Sequence, residues 1–594
     1  MPNFTNNAYQ DALIEGYRLG NTTIEYYLAD TAAGNFTQIE RTAFAQATAL
    51  WNEVANINFA ETAVQADAEF IESLYVSGAD GTSGNLGVHQ NFIGSNTTVV
   101  DTITIDGTFA TALSGSYNRS GFGWDETNAN GGLQRGGIGF ATIVHELGHG
   151  LGLDHTHITG SNDPHFFPGA PGEYDAGNNG LNSELYSIMS YRSGPEIRPN
   201  FIGETQNYGT VGGPMAFDIA TVQFLYGANM TTRTGDDVYT MPSANAPGTY
   251  WSAIWDAGGT DTISHAGGTA AVTIDLRAAT LQDEVGGGGF ISRVGTIYGG
   301  YTIANGVVIE NATGGQAADT LVGNAAANAL DGGAGADTMT GGAGDDYYVV
   351  ENVGDTVTEL AGEGSDIIDT FVSYDVPVNV EVLRMQGTAD LGTNGSVNRD
   401  IIQGNSGNNY INGAGGLDLM VGGSGNDTYT IDDSQDAVIE AAGGGDDVIY
   451  TSVDYVLLGD QEIETAILTE NAVILRGDNS DNQLIGNDFI NVLEGKGGTD
   501  YLLGLGGDDI FQVSLEANAT DLDVFGDFEG AGVIGGDRIA LDAAIWGMDG
   551  IVYQVSQTSF IVATAQNTMQ QQFQIANITA PTTNLIAGDD YYFG

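Results

Sequence analysis

From Ile39 to Val54, apolar residues return at Ala43, Ala47, Leu50, Trp51 and Val54, the spacing of one face of an α-helix. Short strand-like runs follow at Asn56 to Glu61 and at Thr97 to Ile105, and a second helix begins near Phe140. This mixture predicts an α/β domain ending near residue 230. From about residue 314 the period becomes nine, in the pattern GGxGxDxUx, where U is large and apolar: Leu321, Leu330, Met339 and Tyr348 fill it. Near the end, Phe573 and Ile575 alternate with Gln574 and Ala576, a strand signal in a segment that reads as a β cap on stacked repeats.

The nine-residue copies are clearest at Gly332-Gly333-Ala334-Gly335-Ala336-Asp337 and Gly341-Gly342-Ala343-Gly344-Asp345-Asp346, with degenerate copies from Gly314 and Gly323. A second array begins at Gly404, Gly413 and Gly422, with Gly423 and Gly425 in the turn and Asp418 and Asp427 in the acidic slot. A third begins at Gly477, Gly486, Gly495 and Gly504, with Asp500 and Asp509. Six residues of each copy suit a turn in which glycines adopt conformations closed to other residues, and three form a short strand with U pointing inward. Turn carbonyls and paired aspartates then make an all-oxygen cage suited to Ca²⁺. A flexible Gly-rich acidic linker is the alternative, and it leaves the repeating apolar position unexplained. Asn328, Asn409, Asn482 and Asn491 stand in acidic slots, and Ala317 replaces a glycine, which puts calcium at those copies in question. Between arrays, Tyr348 and Tyr429, Asp366 and Asp447, and Tyr374 and Tyr455 recur at a spacing of 81 residues, so a unit of turns plus strands is duplicated. The extra units either lengthen the stack or bind something themselves.

The second helix carries His145-Glu146-Leu147-Gly148-His149-Gly150-Leu151-Gly152-Leu153-Asp154-His155. His145 and His149, four residues apart, project from one helical face and can share a Zn²⁺, with Glu146 beside them to take a proton from metal-bound water. Gly152 permits the sharp turn that brings His155 round as the third nitrogen, leaving a fourth position for water. The chain has only 7 His in 594 residues, which makes chance a poor account of the spacing. A purely structural zinc site would want a fourth protein ligand and no adjacent Glu.

Charge removes other classes. The formal net charge is −63, Lys496 is the sole lysine, and 89 residues are Gly. Nucleic acid requires clustered Lys and Arg, and an anionic membrane surface is disfavoured for the same reason. There is no Cys, so no disulfide holds the fold. No run is long enough to insert in a membrane, and the opening residues show neither a basic nor an apolar leader, so export without a cleavable N-terminal signal peptide is the expectation.

The elongated histidine motif, followed by Tyr186-Ser187-Ile188-Met189-Ser190-Tyr191, resembles the serralysin branch of the metzincin metalloproteases with RTX calcium-binding repeats. The resemblance implies that Met189 lies as a structural floor under the histidines and that Tyr191 is a further zinc ligand able to leave the metal and stabilise the tetrahedral intermediate. Trp51 to Asn56 and Phe217 to Asn229 are similar to the family's first and last catalytic-domain helices. By the same resemblance, carbonyls of Arg233, Gly235 and Gly258, with Gly259 beside them, and carboxylates of Asp237, Asp256 and Asp261 hold calcium at the junction. Glu310 and Asp319 share an ion beside Gly315. The tail Asp589-Asp590-Tyr591-Tyr592-Phe593 is similar to the uncleaved export signal of that group, which implies type I export machinery as a partner.

One departure is an insertion, Thr156 to Ala170, read as a cleft rim, in which His157 and His165 are surface loop histidines rather than ligands. The expected fold is multidomain: an α/β metzincin zinc-peptidase domain over 1–235, a junction over 236–313, a parallel β-roll of RTX arrays over 314–512, and a C-terminal β cap with export signal over 513–594. The expected function is a secreted, monomeric zinc endopeptidase acting on extracellular proteins or peptides, with one catalytic Zn²⁺ and several structural Ca²⁺. A calcium-stabilised adhesin or surface-layer protein with a vestigial protease, or a self-processing protein whose protease acts mainly on its own chain, is the alternative.

Overall fold

The computed structural model describes residues 7–14, 18–19, 22–30, 35–75, 87–92, 112–118, 124, 131–158, 166–193, 207–459, 461–513, 522–528, 536–541, 551–554, 559–563, 570–575 and 591–593. The expected strand at Thr97 to Ile105, His165, and the acidic pair of the tail lie outside these. The chain forms two compact units, 1–344 and 345–594.

Helices of the first unit are α1 (Ala8–Ala12), α2 (Gln38–Val54), α3 (Ile138–Gly150) and α4 (Ala216–Tyr226). Helix α2 starts on a reciprocal cap: Thr37 Oγ1 accepts the Glu40 N–H, and the Glu40 carboxylate accepts that of Thr37 at 2.7 Å. Its expected stripe is buried, joined by Phe44, and Trp51 reaches α3 by donating to the Val144 carbonyl at 3.3 Å. Beside the helices is a five-stranded sheet in the order Asn58–Glu61, Thr23–Ala29, Phe70–Tyr75, Ala112–Asn118, Gly87–Phe92, parallel except for the last pair. Gly87–Phe92 is therefore an antiparallel edge, and it lies near α3.

Beyond α4, parallel strands stack in register. In the first unit Tyr239, Ile263, Ala312 and Leu330 lie over one another, as do Ile274, Leu321 and Met339, and all are buried. The second unit repeats the device. Tyr348, Ile368, Leu383, Ile402, Met420 and Val438 form one ladder. A second runs through Ile411, Tyr429, Ile449, Ala466, Leu484 and Leu502. Each inward Leu, Ile, Met or Tyr withdrawn from water contributes about 1.5–3 kcal/mol. The expected inward positions at Leu321, Leu330, Met339 and Tyr348 are all fully buried. The parallel stack ends in an antiparallel run of Ile551–Gln554, Ser559–Ala563 and Gln570–Ile575, where Phe573 and Ile575 point inward and Phe573 stacks on Phe525 at 5.2 Å. Among the described residues, no helix is long and apolar enough to cross a membrane.

Two buried carboxyls give the first unit a pH dependence. Burial pushes Glu72, in strand Phe70–Tyr75, up to about 8, against the opposing hydrogen bond of Tyr117. Burial likewise pushes Glu184 up to about 7, opposed by the Ser193 hydroxyl. The folded state thus holds protons that the unfolded chain releases near pH ~4.3. That contribution is fully present below ~4.3 and is lost as pH rises through about 7 to 8. At fixed calcium, the thermal unfolding midpoint should fall by several degrees between mildly acidic and mildly alkaline buffer. Glu72→Gln should flatten the upper part of that slope, and an unchanged slope would refute the assignment.

Candidate metal centre and calcium cages

Helix α3 ends where the motif requires. Leu151 caps it, and Gly152 takes φ 94°, a left-handed conformation that turns the chain back so that Leu153 N–H reaches the Gly148 carbonyl at 3.0 Å. Asp154 Oδ1 then accepts the backbone N–H of His155 at 2.7 Å. His155 Nε2 comes to lie 3.3 Å from that of His145 and 3.1 Å from that of His149. Two ligands at a tetrahedral zinc, with Zn–N of about 2.0–2.1 Å, would stand about 3.3 Å apart. The outer nitrogens are committed elsewhere: His145 Nδ1 pairs with the Ile188 carbonyl and His149 Nδ1 with that of Leu153, both at 2.8 Å. Each of those rings therefore carries its proton on Nδ1 and turns an Nε2 lone pair towards the others. Burial holds His145 down to about 4 and, with the neighbouring imidazoles, pushes His155 far down, so both are neutral at physiological pH. This donor set fits Zn²⁺.

Glu146 is buried on the same turn as His145. The Tyr191 ring stacks on His145 at 5.5 Å and lies 4.7 Å from His155. Partial desolvation of this half-exposed ring, then the Glu146 charge, pushes its phenol up to about 12, so it is a neutral hydrogen-bond donor. Met189 is fully buried beneath α3, and a Cβ built on Gly148 would stand 3.0 Å from its sulfur and 3.3 Å from the Trp51 ring. The motif glycine is thus needed for the floor to come close.

The reading of His157 as a surface histidine is corrected. It is buried, with its ring 5.2 Å from His155 and 5.1 Å from Tyr191, because the two ends of the insertion are anchored in the interior. Phe167 N–H donates to the Thr156 carbonyl, and the Phe167 ring packs between Tyr9 and Phe217 at 4.9 and 5.1 Å. His157 lies outside the three-histidine cluster.

Two supports had no motif to announce them. Asn182 Oδ1 accepts the Thr156 and Ser190 hydroxyls at 2.6 and 2.7 Å, and its amide donates to the Asp175 carbonyl. Asp218 of α4 is fully buried and accepts from the Ser187 hydroxyl and the Ile188 and Met215 N–H groups at 2.6–2.8 Å. It holds the turn that carries both Met189 and the Ile188 carbonyl oriented on His145. An Asp at the third helical position before an apolar run was the available signal.

At the junction, Asp237, Asp256 and Asp261 converge as expected, each offering an oxygen within 4.8 Å of the others. Asp261 Oδ2 is buried without a hydrogen-bond partner, and burial, then its acidic neighbours, lifts this carboxyl to about 6. Arg233 takes φ 49°, and a Cβ on Gly259 would strike the Gly235 carbonyl, so this backbone crowds the cluster. Gly258 N–H binds Asp256 Oδ1 at 2.9 Å. Glu310 accepts from the Asp261 N–H, while Asp319 accepts from the Val272 and Gly315 N–H groups.

Within the arrays one rule holds. Oδ1 of five slot aspartates accepts the N–H of the slot residue one turn earlier: Asp337 from Asp319, Asp418 from Asp400, Asp427 from Asn409, Asp500 from Asn482 and Asp509 from Asn491, at 2.7–2.8 Å. Oδ2 of Asp418, Asp427, Asp500 and Asp509 is buried with no hydrogen-bond partner. The asparagine slots behave differently: Asn328, Asn409, Asn482 and Asn491 donate their amides to carbonyls of Glu310, Leu391, Ile463 and Ala472. The neutral amide NH₂ thus supplies internally the hydrogen-bond donors that the carbonyls beside an aspartate lack, so the arrays are cation-seeking at the aspartates and self-satisfied at the asparagines. Positive φ at Gly333, Gly335, Gly342, Gly344, Gly423 and Gly425 fits the glycine slots, and Cβ atoms on Gly332 or Gly422 would fall on Asp337 or Asp427 oxygens. The Gly341 carbonyl lies against Gly323, two nine-residue copies earlier. A turn the sequence left out also belongs here: Gly395 and Asp400 begin the second array.

Known proteins agree with this geometry. The serralysin C-terminal domain of M10 peptidases matches residues 219–388, and the RTX calcium-binding nonapeptide repeat matches 394–429 and 476–511. Serralysin C of Dickeya chrysanthemi is 37% identical over 228 residues, covering 35% of this chain and 41% of that protein. Serralysin of Proteus mirabilis and metallopeptidase AprA of Pseudomonas marginalis are each 33% identical, over 46% of this chain and 51% of their own. The chain spans about half the length of these curated relatives. The chain is thus similar to the serralysins and carries RTX calcium-binding repeats.

Asp218→Ala would leave the Ile188 and Met215 N–H groups buried and unpaired, at a cost of about 1–3 kcal/mol each. The unfolding midpoint of the first unit should fall, and the variant should lose metal during dialysis faster than the parent. Parent-like retention would remove Asp218 from the support of the centre.

Proposed function

We propose that the chain is a secreted zinc endopeptidase whose metzincin-type domain is stabilised by a calcium-loaded β-roll, with a domain order of catalytic residues 1–235, junction 236–313, roll 314–512 and cap 513–594. The observation that carries this reading is the convergence of His145, His149 and His155 with Glu146 buried beside them. Zinc held there would polarise the scissile carbonyl and acidify a water. Glu146 is the base placed to take a proton from an attacking water and pass it to the leaving amine. The Tyr191 hydroxyl, neutral and adjacent to two of the histidines, donates a hydrogen bond to the developing oxyanion. Among the described residues Gly87–Phe92 is the antiparallel edge of the sheet, and an extended peptide can add to such an edge as a strand, which suits protein substrates of varied sequence.

In this reading the roll folds only where calcium is plentiful. Aspartates stacked turn on turn repel one another until a cation bridges them, and extracellular calcium modules have Kd of about 10⁻⁴–10⁻³ M. An unfolded roll inside the cell and a folded one outside suits a monomer exported by a type I machinery that reads its C-terminus.

Glu146→Ala should keep zinc and fold but lose about 10²–10⁴ in turnover on casein, and Tyr191→Phe should lose less, up to about 10²-fold. Full proteolysis by a zinc-loaded Glu146→Ala protein would overturn the mechanism. Cleavage confined to the chain itself would favour self-processing.

Circular dichroism of the full chain should gain β signal as Ca²⁺ rises into the millimolar range, while Mg²⁺, which demands a smaller octahedral site, should not replace it. A full β signal in chelator would rule out the calcium switch.

A further inference from the structure

Strands Thr356–Thr358 and Ala437–Ile439 break the pattern of the roll at their last inward position. Val357 and Val438 point inward, Thr358 and Ile439 outward, and the next inward residue is a glutamate, Glu359 or Glu440. Glu359 is 5% exposed and Glu440 8%, where an apolar side chain would be expected. Each meets two aspartates: Asp346, Glu359 and Asp366 form one cluster and Asp427, Glu440 and Asp447 another, with an oxygen from each member within 4.8 Å of the rest. The clusters are one arrangement repeated at the 81-residue spacing, down to the tyrosine hydroxyls of Tyr348 and Tyr429 that donate to the two glutamates.

Protein donors cover only part of this charge. Asp366 and Asp447 use Oδ1 to accept the N–H of Asp346 and Asp427, at 2.8 and 2.7 Å. Glu440 Oε2 takes the Gly423 N–H at 3.0 Å. Oδ2 of Asp366, Asp427 and Asp447 is left buried, with no hydrogen-bond partner, in residues about 1% exposed. A Cβ on Gly422 would collide with the Tyr429 hydroxyl and with both Asp427 and Glu440, so glycine keeps the space between them open. Burial lifts Glu440 to about 7 and Asp447 to about 6, as expected of carboxyls short of positive charge.

We propose that each cluster is a Ca²⁺ site of a second type, in which a glutamate from an inserted strand supplies a third carboxylate to the aspartate pair, one site closing each duplicated unit. Three carboxylates and a phenol form a hard, oxygen-only set too large and irregular for the octahedral demands of Mg²⁺. The proposal rests on the calcium reading of the roll, and a count of ions separates the two.

The test is equilibrium dialysis of the full chain against saturating Ca²⁺, with folding monitored by circular dichroism. The double variant Glu359→Gln/Glu440→Gln should bind two fewer ions than the parent. An unchanged count in a folded variant overturns the second-type site, whereas a parent that binds no calcium overturns the roll reading itself. If the double variant fails to fold, Tyr348→Phe and Tyr429→Phe, which keep every carboxylate, decide the matter. With Tb³⁺ in place of Ca²⁺, emission excited through tyrosine should fall clearly in each, and parent-level emission in both overturns the proposal.

Discussion

In-register parallel stacking brings each residue over its counterpart in the neighbouring turn. For the inward apolar slot this is favourable, since Met420 lies over Ile402 and Val438, and the ladder needs no further help. For the acidic slot it brings a carboxylate to the next carboxylate, as where the Asp400 N–H is bound by Asp418 Oδ1 and the Asp418 N–H by Asp436 Oδ1. The same geometry that builds the core therefore concentrates negative charge along the turns. In a chain of net charge −63 there are too few Lys and Arg to neutralise it, so the fold has to draw cations from solution.

The two metal chemistries share a physical form. At the histidines, lone pairs face one another because their protons are committed to the carbonyls of Ile188 and Leu153. In the roll, Oδ2 atoms are left bare because Oδ1 has taken the backbone donor. Each site is buried and short of donors, which is costly until a cation arrives. The asparagine slots mark the contrast: with one amide added, as at Asn409, the turn closes on itself. Metal dependence in this protein is thus distributed residue by residue rather than spread evenly over the acidic composition.

Helix α4 and the Met189 turn connect the histidine cluster to the rest of the first unit. Asp218 fixes the turn, the turn fixes His145 through Ile188, and Gly148 lets the floor approach. Rigidity of this kind is what a centre needs if three nitrogens are to stay within a few tenths of an ångström of tetrahedral spacing.

By itself the sequence determined whatever depends on local spacing. The helical offset of His145 and His149, the positive φ required at Gly152, and the inward residue of each nine-residue turn follow from fixed backbone periods, so they were legible without a structure. What only the tertiary structure decided is what depends on how distant segments meet. His157 looked like one more loop histidine until Phe167 drew the insertion inward. Glu359 and Glu440 sit in strands with no calcium motif, and only the stacking of turns carries them to an aspartate pair. Burial and donor supply are properties of the packed chain, and no local period encodes them.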